Sequence, residues 1–326
     1  MPVSATTLRA LQSTKRQGGR AAALWKGDRF GIWVTLTAAL AIVGITAAIF
    51  YELYSQSSLS RSAFGWHFLV TQVWDPVAGE FGALPFIYGT VVTSVLSLAI
   101  AVPFGLGTAV FLSELAPLRL SDALAFLVEL LAAVPSVIYG LLGIFVLVPV
   151  LQNDIVPYLK SILGFLPAFQ GAFYGVSYLS ASIVLSIMIV PYIVSISREV
   201  LLAVPRDQRE ASLALGGTRW QTTWRVVVPY ASKGIVGSIF LALARALGET
   251  MAVTMVIGNS PQIKASLLAP GYSIAAVIAN EFTEATGDLY VSSLIELGLV
   301  LFAVTFIING LARLLISATV NRGVSA

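Results

Sequence analysis

The sequence predicts an all-α integral membrane protein of six transmembrane helices with both termini cytoplasmic. Three observations predict it. Only 11% of the 326 residues are charged, against about 25% in soluble domains, and mean hydropathy is +0.89. Six apolar runs are long enough to cross a bilayer, which takes about 20 helical residues. Lysine and arginine are segregated. With six crossings, fifteen fall on one side and three on the other, and the positive-inside rule puts the fifteen in the cytoplasm. The runs lack strand alternation, so helices satisfy their backbone in lipid. The chain has no cysteine, which excludes a disulfide framework and a thiolate metal site.

Taken in order, residues 1–29 carry Arg9, Lys15, Arg16, Arg20, Lys26 and Arg29 against Asp28 alone. They read as a flexible basic cytoplasmic tail. The first span follows at residues 30–54, near Phe30–Leu53. Ala47 and Ala48 leave a cleaved leader open as an alternative, but its apolar core would be shorter, and a permanent helix is expected. Residues 54–87 hold Trp66, Phe68, Trp74, Phe81 and Phe86, which are expected along the outer membrane interface. His67, the only histidine, has no visible partner ligand and no metal site is expected. The second and third spans are expected near Tyr88–Leu112 and Phe126–Leu151. Pro103 and Pro135 bend them, and Gly140 and Gly143 permit close helix packing. Glu129, Ser136 and Tyr139 are secondary candidates, for the pathway or for packing. Within residues 152–177, Ile162–Phe169 is apolar but too short to cross and is interrupted by Gly164 and Pro167, so the stretch is expected outside, interfacial or re-entrant. The remaining spans are expected near Tyr178–Ser197, Gly234–Gly258 and Val291–Ile316. Residues 259–290 form an acidic external loop with Glu281, Glu284 and Asp288, and Ser273–Phe282 suits a short helix.

The polar stretch Glu210–Pro229 lies between the fourth and fifth spans, within a basic loop over 198–230. Asp207 and Glu210 have capping-box spacing, and Gly216–Gly217 suits a helix stop. Thr218 and Gln221 repeat the spacing and start a second helix. This is a compact protrusion from an otherwise apolar chain. Its spacing resembles the EAA loop of ABC importer permeases: Glu210, Ala211, Gly216, then Val226 and Val228 before Pro229, with Ser212 in the third motif position. The resemblance implies a type I ABC importer (MetI-like) permease fold and a helix that docks on a cytoplasmic ATPase dimer. The chain has no Gly-x4-Gly-Lys-Ser/Thr phosphate loop. This agrees with ATP and Mg binding on a partner chain, no cofactor here, and no enzyme activity in this subunit.

Arg245 and Glu249 sit four residues apart in the fifth span, on one face of an expected continuous helix. Counted from Gly234, Arg245 is roughly 17 Å deep. A charge there costs at least about 2.5–3.5 kcal/mol, so it should meet a wet cavity or an opposite charge. Two readings stay open: a self-neutralising pair, or an anion site with Arg245 as contact and Glu249 as its gate. Ala244 and Gly248 also have small-x3-small spacing. The text RALGETMAV, with WDP at 74–76, FLSELAP at 111–117 and ELLAAVPSVIYG at 129–140, resembles the phosphate-specific PstC-type branch over about 70–320. That resemblance implies phosphate import, Arg245 and Glu249 as transport residues, and an inner-membrane location. It also implies a PstA-type second permease and an extracytoplasmic phosphate-binding protein, with no nucleic-acid partner. Another oxyanion such as sulfate or molybdate is the alternative cargo. An ion-coupled secondary transporter is the alternative class, although no internal repeat favours it.

Overall fold

The computed structural model describes residues 5–323. The side chains of residues 1–29, and those of Arg313 and Arg322, lie outside the described residues, so the tail charges are not placed. The chain divides into two compact units, Met1–Ser55 and Gln56–Ala326. The first is a single helix, α1 (Ala5–Gln56), which runs through the basic tail without a break. Ala, Leu, Arg, Lys and Gln dominate the tail and favour helix, which explains why no separate flexible segment appears.

Among its described residues the second unit is built of helices joined by loops, with one isolated antiparallel bridge between Asp75 and Glu80. It begins with α2 (Ser58–Phe64), α3 (His67–Val70) and α4 (Leu84–Val110). Next come α5 (Leu118–Ala132), α6 (Ser136–Leu142), α7 (Val148–Val150) and α8 (Val156–Leu163). Then follow α9 (Tyr178–Leu202), α10 (Arg206–Ala214), α11 (Arg219–Thr222), α12 (Val228–Leu247) and α13 (Met251–Ile257). The last two are α14 (Ile274–Glu281) and α15 (Asp288–Gly323). Among the described residues, six helical stretches are long and apolar enough to cross a membrane: Phe30–Gln56, Leu84–Leu115, Ser136–Leu163, Tyr178–Leu202, Arg219–Leu247 and Asp288–Leu311. Six spans and an all-α class were expected.

Two spans differ from expectation, each for a local reason. The third was expected at Phe126–Leu151. Instead α5 stops at Ala132 and α6 starts at Ser136, because Pro135 adopts φ −58°, ψ 139° and has no N–H to continue the ladder. Residues 151–163 then extend this helix, so only the second half of 152–177 is a loop. That loop is pinned where the Leu267 N–H donates to the Ala168 carbonyl (2.8 Å). The fifth span was expected at Gly234–Gly258. It begins at Arg219, runs through α11 into α12, and ends at Leu247.

Prolines explain a further regularity. Four widened turns, at Phe111–Leu115, Gly143–Leu147, Leu151–Ile155 and Thr223–Val227, each end two residues before a proline. In each, the residue just before the proline donates its N–H five residues back: Ala116 to Phe111, Val148 to Gly143, Val156 to Leu151 and Val228 to Thr223. The shift gives the proline ring room at the carbonyl it would otherwise strike. Pro229 therefore lies inside a continuous helix rather than at its entrance.

Helices α4, α9 and α12 form the centre. Gly105 of α4 lies against Ile193 of α9, Gly234 of α12 against Val200, and the Ser197 and Ser238 hydroxyls meet at 2.7 Å. At the end of the unit carrying α3 and α14, Phe68, Phe81 and Phe86 are buried with Tyr272, Leu294 and Leu297. Trp74 stacks edge-on to Phe81 and Phe86 (4.9 Å each) and donates its Nε1–H to Glu281 (2.8 Å). Among the loop aromatics expected at the membrane interface, only Trp66 is exposed. The others form a core, since an aromatic ring serves a buried cluster as well as an interface. Burial also pushes the Tyr272 phenol above its ordinary value.

Gly89 is where α4 touches the segment before α14. A Cβ there would sit 2.0 Å from the Tyr272 carbonyl oxygen, a backbone atom. Gly89→Ala is expected to destabilise the fold by about 3 kcal/mol. A thermal melt of the purified chain checks this, against Gly237→Ala, where a Cβ meets nothing within 4 Å.

Candidate functional site

Two places carry the residues singled out in the sequence. The first surrounds Arg245, near the end of α12. Its guanidinium lies over the Tyr192 ring, 4.2 Å from the centroid. Tyr192 donates its hydroxyl to the Ala132 carbonyl (3.5 Å), and Tyr139 donates to the Leu131 carbonyl (2.7 Å). Both tyrosines thus donate to carbonyls at the end of α5, where the Leu131 carbonyl also accepts the Val134 N–H (3.2 Å). Arg245 is half-buried and its Nε–H, fully shielded from solvent, meets no acceptor.

Of the two readings left open, the self-neutralising Arg245–Glu249 pair is not formed. Other charges do pair, Arg198 with Asp122 and Glu199, and Arg209 with Glu114. The reason is a second helix break. After Leu247 the chain leaves the helix through Gly248, so the four-residue face that would align the two side chains does not exist. Glu249 instead accepts the Ala252 N–H (3.3 Å) at the start of α13.

The two breaks lie side by side. Helices α6 and α13 pack in parallel: a Cβ on Gly140 would meet Met255 Sδ at 2.5 Å and Ala252 Cα at 3.3 Å, and one on Gly143 would meet Val256 at 2.7 Å. Only glycine allows this approach. Interrupted backbone within a membrane is tolerated where protein or a wet cavity surrounds it. Tyr139 and half-buried Ser136 belong to this region. Glu129 does not. It is exposed and lines a small crevice with Ser195, Arg198 and Glu199.

The second place is the segment from Arg206 to Val228. Pro205, not Asp207, occupies the cap of α10, and no side chain caps that end, so the Asp207–Glu210 box is absent. Asp207 sits in the first turn, where the helix dipole favours an acid. Gly216 has φ +88°, the left-handed conformation expected at this corner. The Thr218–Gln221 box is complete: Thr218 Oγ1 accepts the Gln221 N–H (3.2 Å), and Gln221 Oε1 accepts the Thr218 N–H (3.0 Å). Glu210, Ala211 and Gly216 are exposed on the protrusion, and Pro229 is exposed beyond it. A cleft of about 360 Å³ is lined by Ala211, Ser212, Leu215, Gln221 and Arg225, and Leu215 is 90% exposed at its edge.

One contact here was not anticipated. Arg209 of α10 makes a two-pronged ion pair with Glu114, Nη2 to Oε1 at 2.7 Å and Nε to Oε2 at 3.2 Å. It also donates to the carbonyls of Leu201 (2.8 Å) and Val204. In the sequence Arg209 was one of several basic residues in the loop, and nothing local pairs it with an acid 95 positions earlier.

Residues 101–320 match the family of binding-protein-dependent transport system inner membrane components. The chain belongs to that family. It is therefore a multi-pass transport permease, as its helices and the protruding Glu210–Gly216 corner suggested. As a member of this inner membrane component family, it is 48% identical over 283 residues to the phosphate transport system permease protein PstC of Mesorhizobium japonicum, covering 86% of each chain. It is 44% identical over 310 residues to PstC of Xylella fastidiosa, covering 94% of this chain and 95% of that one. The fold is shared with two solved structures. One is the MetNI methionine ABC transporter in inward-facing conformations, with TM-score 0.52, 17% identity, and coverage of 72% of this chain and 95% of that one. The other is a bacterial alginate ABC transporter in complex with alginate pentasaccharide-bound periplasmic protein, with TM-score 0.56, 15% identity, and coverage of 89% and 95%. The type I ABC importer permease fold inferred from the EAA-like spacing is thus the observed one.

Proposed function

We propose that this chain is the membrane-spanning permease subunit of an ATP-driven importer of inorganic phosphate. The observation that carries the reading is Arg245, a half-buried cation with no carboxylate partner among the described residues and an unsatisfied Nε–H beside two broken helices. A guanidinium fork suits a tetrahedral oxyanion. The names of relatives 48% and 44% identical supply the cargo. Arg245 contacts the passing anion while the Tyr192 ring holds its guanidinium in place. Glu249, turned away from Arg245, gates the site by approaching or leaving it. Tyr139 and Ser136 shape the wall, and Glu129 plays no direct part.

The segment carrying Glu210, Ala211 and Gly216 docks on a cytoplasmic ATPase dimer that binds ATP and Mg, and Pro229 stabilises the helix leading from it. This chain forms half of the pathway, with a PstA-type permease as the other half and an extracytoplasmic phosphate-binding protein delivering cargo. The assembly sits in the inner membrane with both termini of this chain cytoplasmic.

The test is labelled phosphate uptake in phosphate-starved cells with no second phosphate system, with and without this chain. The expected result is uptake that requires the chain and is competed by unlabelled phosphate but not by sulfate. Competition by sulfate or molybdate instead would move the assignment to another oxyanion. Uptake that does not require the chain would remove the substrate assignment.

A further inference from the structure

We propose that Glu114 and Arg209 form the joint that makes α10 move as one body with the membrane helices, so that this ion pair positions the coupling segment during transport. The inference rests on the permease reading above. It assigns a role to two residues outside the EAA-like motif and outside the Arg245 region.

The geometry ties three elements through one side chain. Glu114 belongs to the widened turn that ends the second span, and its side chain is 9% exposed. Arg209 rises from α10 with a side chain 20% exposed and engages both carboxylate oxygens. Its remaining donors reach the carbonyls of Leu201 and Val204, at and just beyond the end of α9. Leu201 also accepts the Val204 N–H (3.2 Å), so the guanidinium adds a second donor at the end of α9, where a cation is favoured. Beneath the pair, Ala109, Val110, Leu201, Val204, Val227 and Ala231 are packed in one cluster. The far end of α10 is fastened separately, by Ser212 to Thr222 (2.8 Å) across to α11. Thus α10 is held to the second and fourth spans at one end and to the fifth at the other.

A hinge would be built differently. A segment meant to swing freely on a tether would carry exposed contacts, such as the neighbouring Arg198–Asp122 pair, whose acid is 74% exposed. A pair buried to the extent of Glu114–Arg209 holds one geometry, because separating its members strands a shielded charge. Force applied to α10 is therefore delivered to the second and fourth spans rather than absorbed in the loop. The guanidinium is needed as a fork: an ammonium at this position could not engage two carboxylate oxygens and two carbonyls in fixed directions.

The experiment uses the whole transporter, reconstituted with its ATPase and second permease in vesicles, and measures phosphate moved per ATP hydrolysed. Wild type, E114Q, R209K and D122N are compared. E114Q is expected to assemble and to hydrolyse ATP at the wild-type basal rate. It should move about tenfold less phosphate per ATP. R209K, which keeps the charge and loses the fork, is expected to resemble E114Q rather than wild type. D122N, which breaks only the exposed pair, is expected to couple normally. Normal phosphate moved per ATP in E114Q would overturn the proposal, as would full function in R209K. If E114Q fails to assemble, R209K is read alone. If neither assembles, the pair is a folding element and the coupling role is lost. A wild-type complex that moves no phosphate at all would instead overturn the permease reading, which separates the two failures.

Discussion

Arg245→Gln removes phosphate uptake while leaving the transporter assembled. The expected loss is at least about thirtyfold, the cost of stranding one member of a shielded charge contact. Glutamine keeps much of the side chain's length and its packing on Tyr192, but it carries no charge and cannot present the guanidinium fork. Arg245→Lys is expected to retain part of the activity, because the charge survives and the directed donors do not. The measurement is labelled uptake alongside recovery of the intact complex in mild detergent. The structure sharpens the prediction, because Arg245 has no ion-pair partner to leave behind. If Arg245 and Glu249 neutralised each other, removing either would strand the other, and the complex would be lost along with uptake. If the Arg245→Gln complex does not assemble, Arg245 is structural and the anion site lies elsewhere.

Gly216→Pro abolishes coupling between ATP hydrolysis and transport without preventing membrane insertion. Proline holds φ near −65°, while Gly216 is at +88°, so the corner between α10 and α11 cannot form. A graded series isolates the cause. A Cβ at position 216 meets nothing within 4 Å, so the cost of a substitution is conformational rather than steric. Gly216→Asn should be tolerated best, since asparagine visits the left-handed region. Gly216→Ala should cost about 1–2 kcal/mol, and Gly216→Pro should be intolerable. The readout is phosphate-stimulated ATPase activity of the reconstituted transporter. Wild-type stimulation in the proline variant would end the assignment of this corner to coupling.

Much of this was legible in the sequence because the bilayer restricts the options. Length and hydropathy identify crossings, and the Lys/Arg distribution predicts their direction. The Gly216 corner and the Thr218–Gln221 box were legible because both are local: a dihedral and a three-residue spacing. The helix breaks were not. Pro103, Pro135 and Pro191 look alike in an apolar run, yet α4 and α9 carry theirs inside the helix and the third span begins just after its own. What differs is the tertiary setting, where Tyr139 and Tyr192 supply hydroxyl donors to carbonyls at the end of α5. The break at Gly248 was missed for a related reason. Glu249 has a helical spacing from Arg245, and only its turn towards the Ala252 N–H shows that the helix has already ended. Arg209 and Glu114 were both visible as charges, but no local rule joins residues so far apart along the chain.

The widened turn at Thr223–Val227 has a consequence for insertions and deletions. It stores one surplus residue between the Gly216 corner and Arg245. Removing that residue would let the helix close into regular spacing and would leave everything beyond it close to its present phase. Removing one residue from the regular turns of α12 would instead turn everything beyond it by about 100°. Arg245 would then leave the Tyr192 ring although no residue near it had changed. A one-residue deletion is accordingly absorbed at Thr223–Val227 and disruptive between there and the arginine.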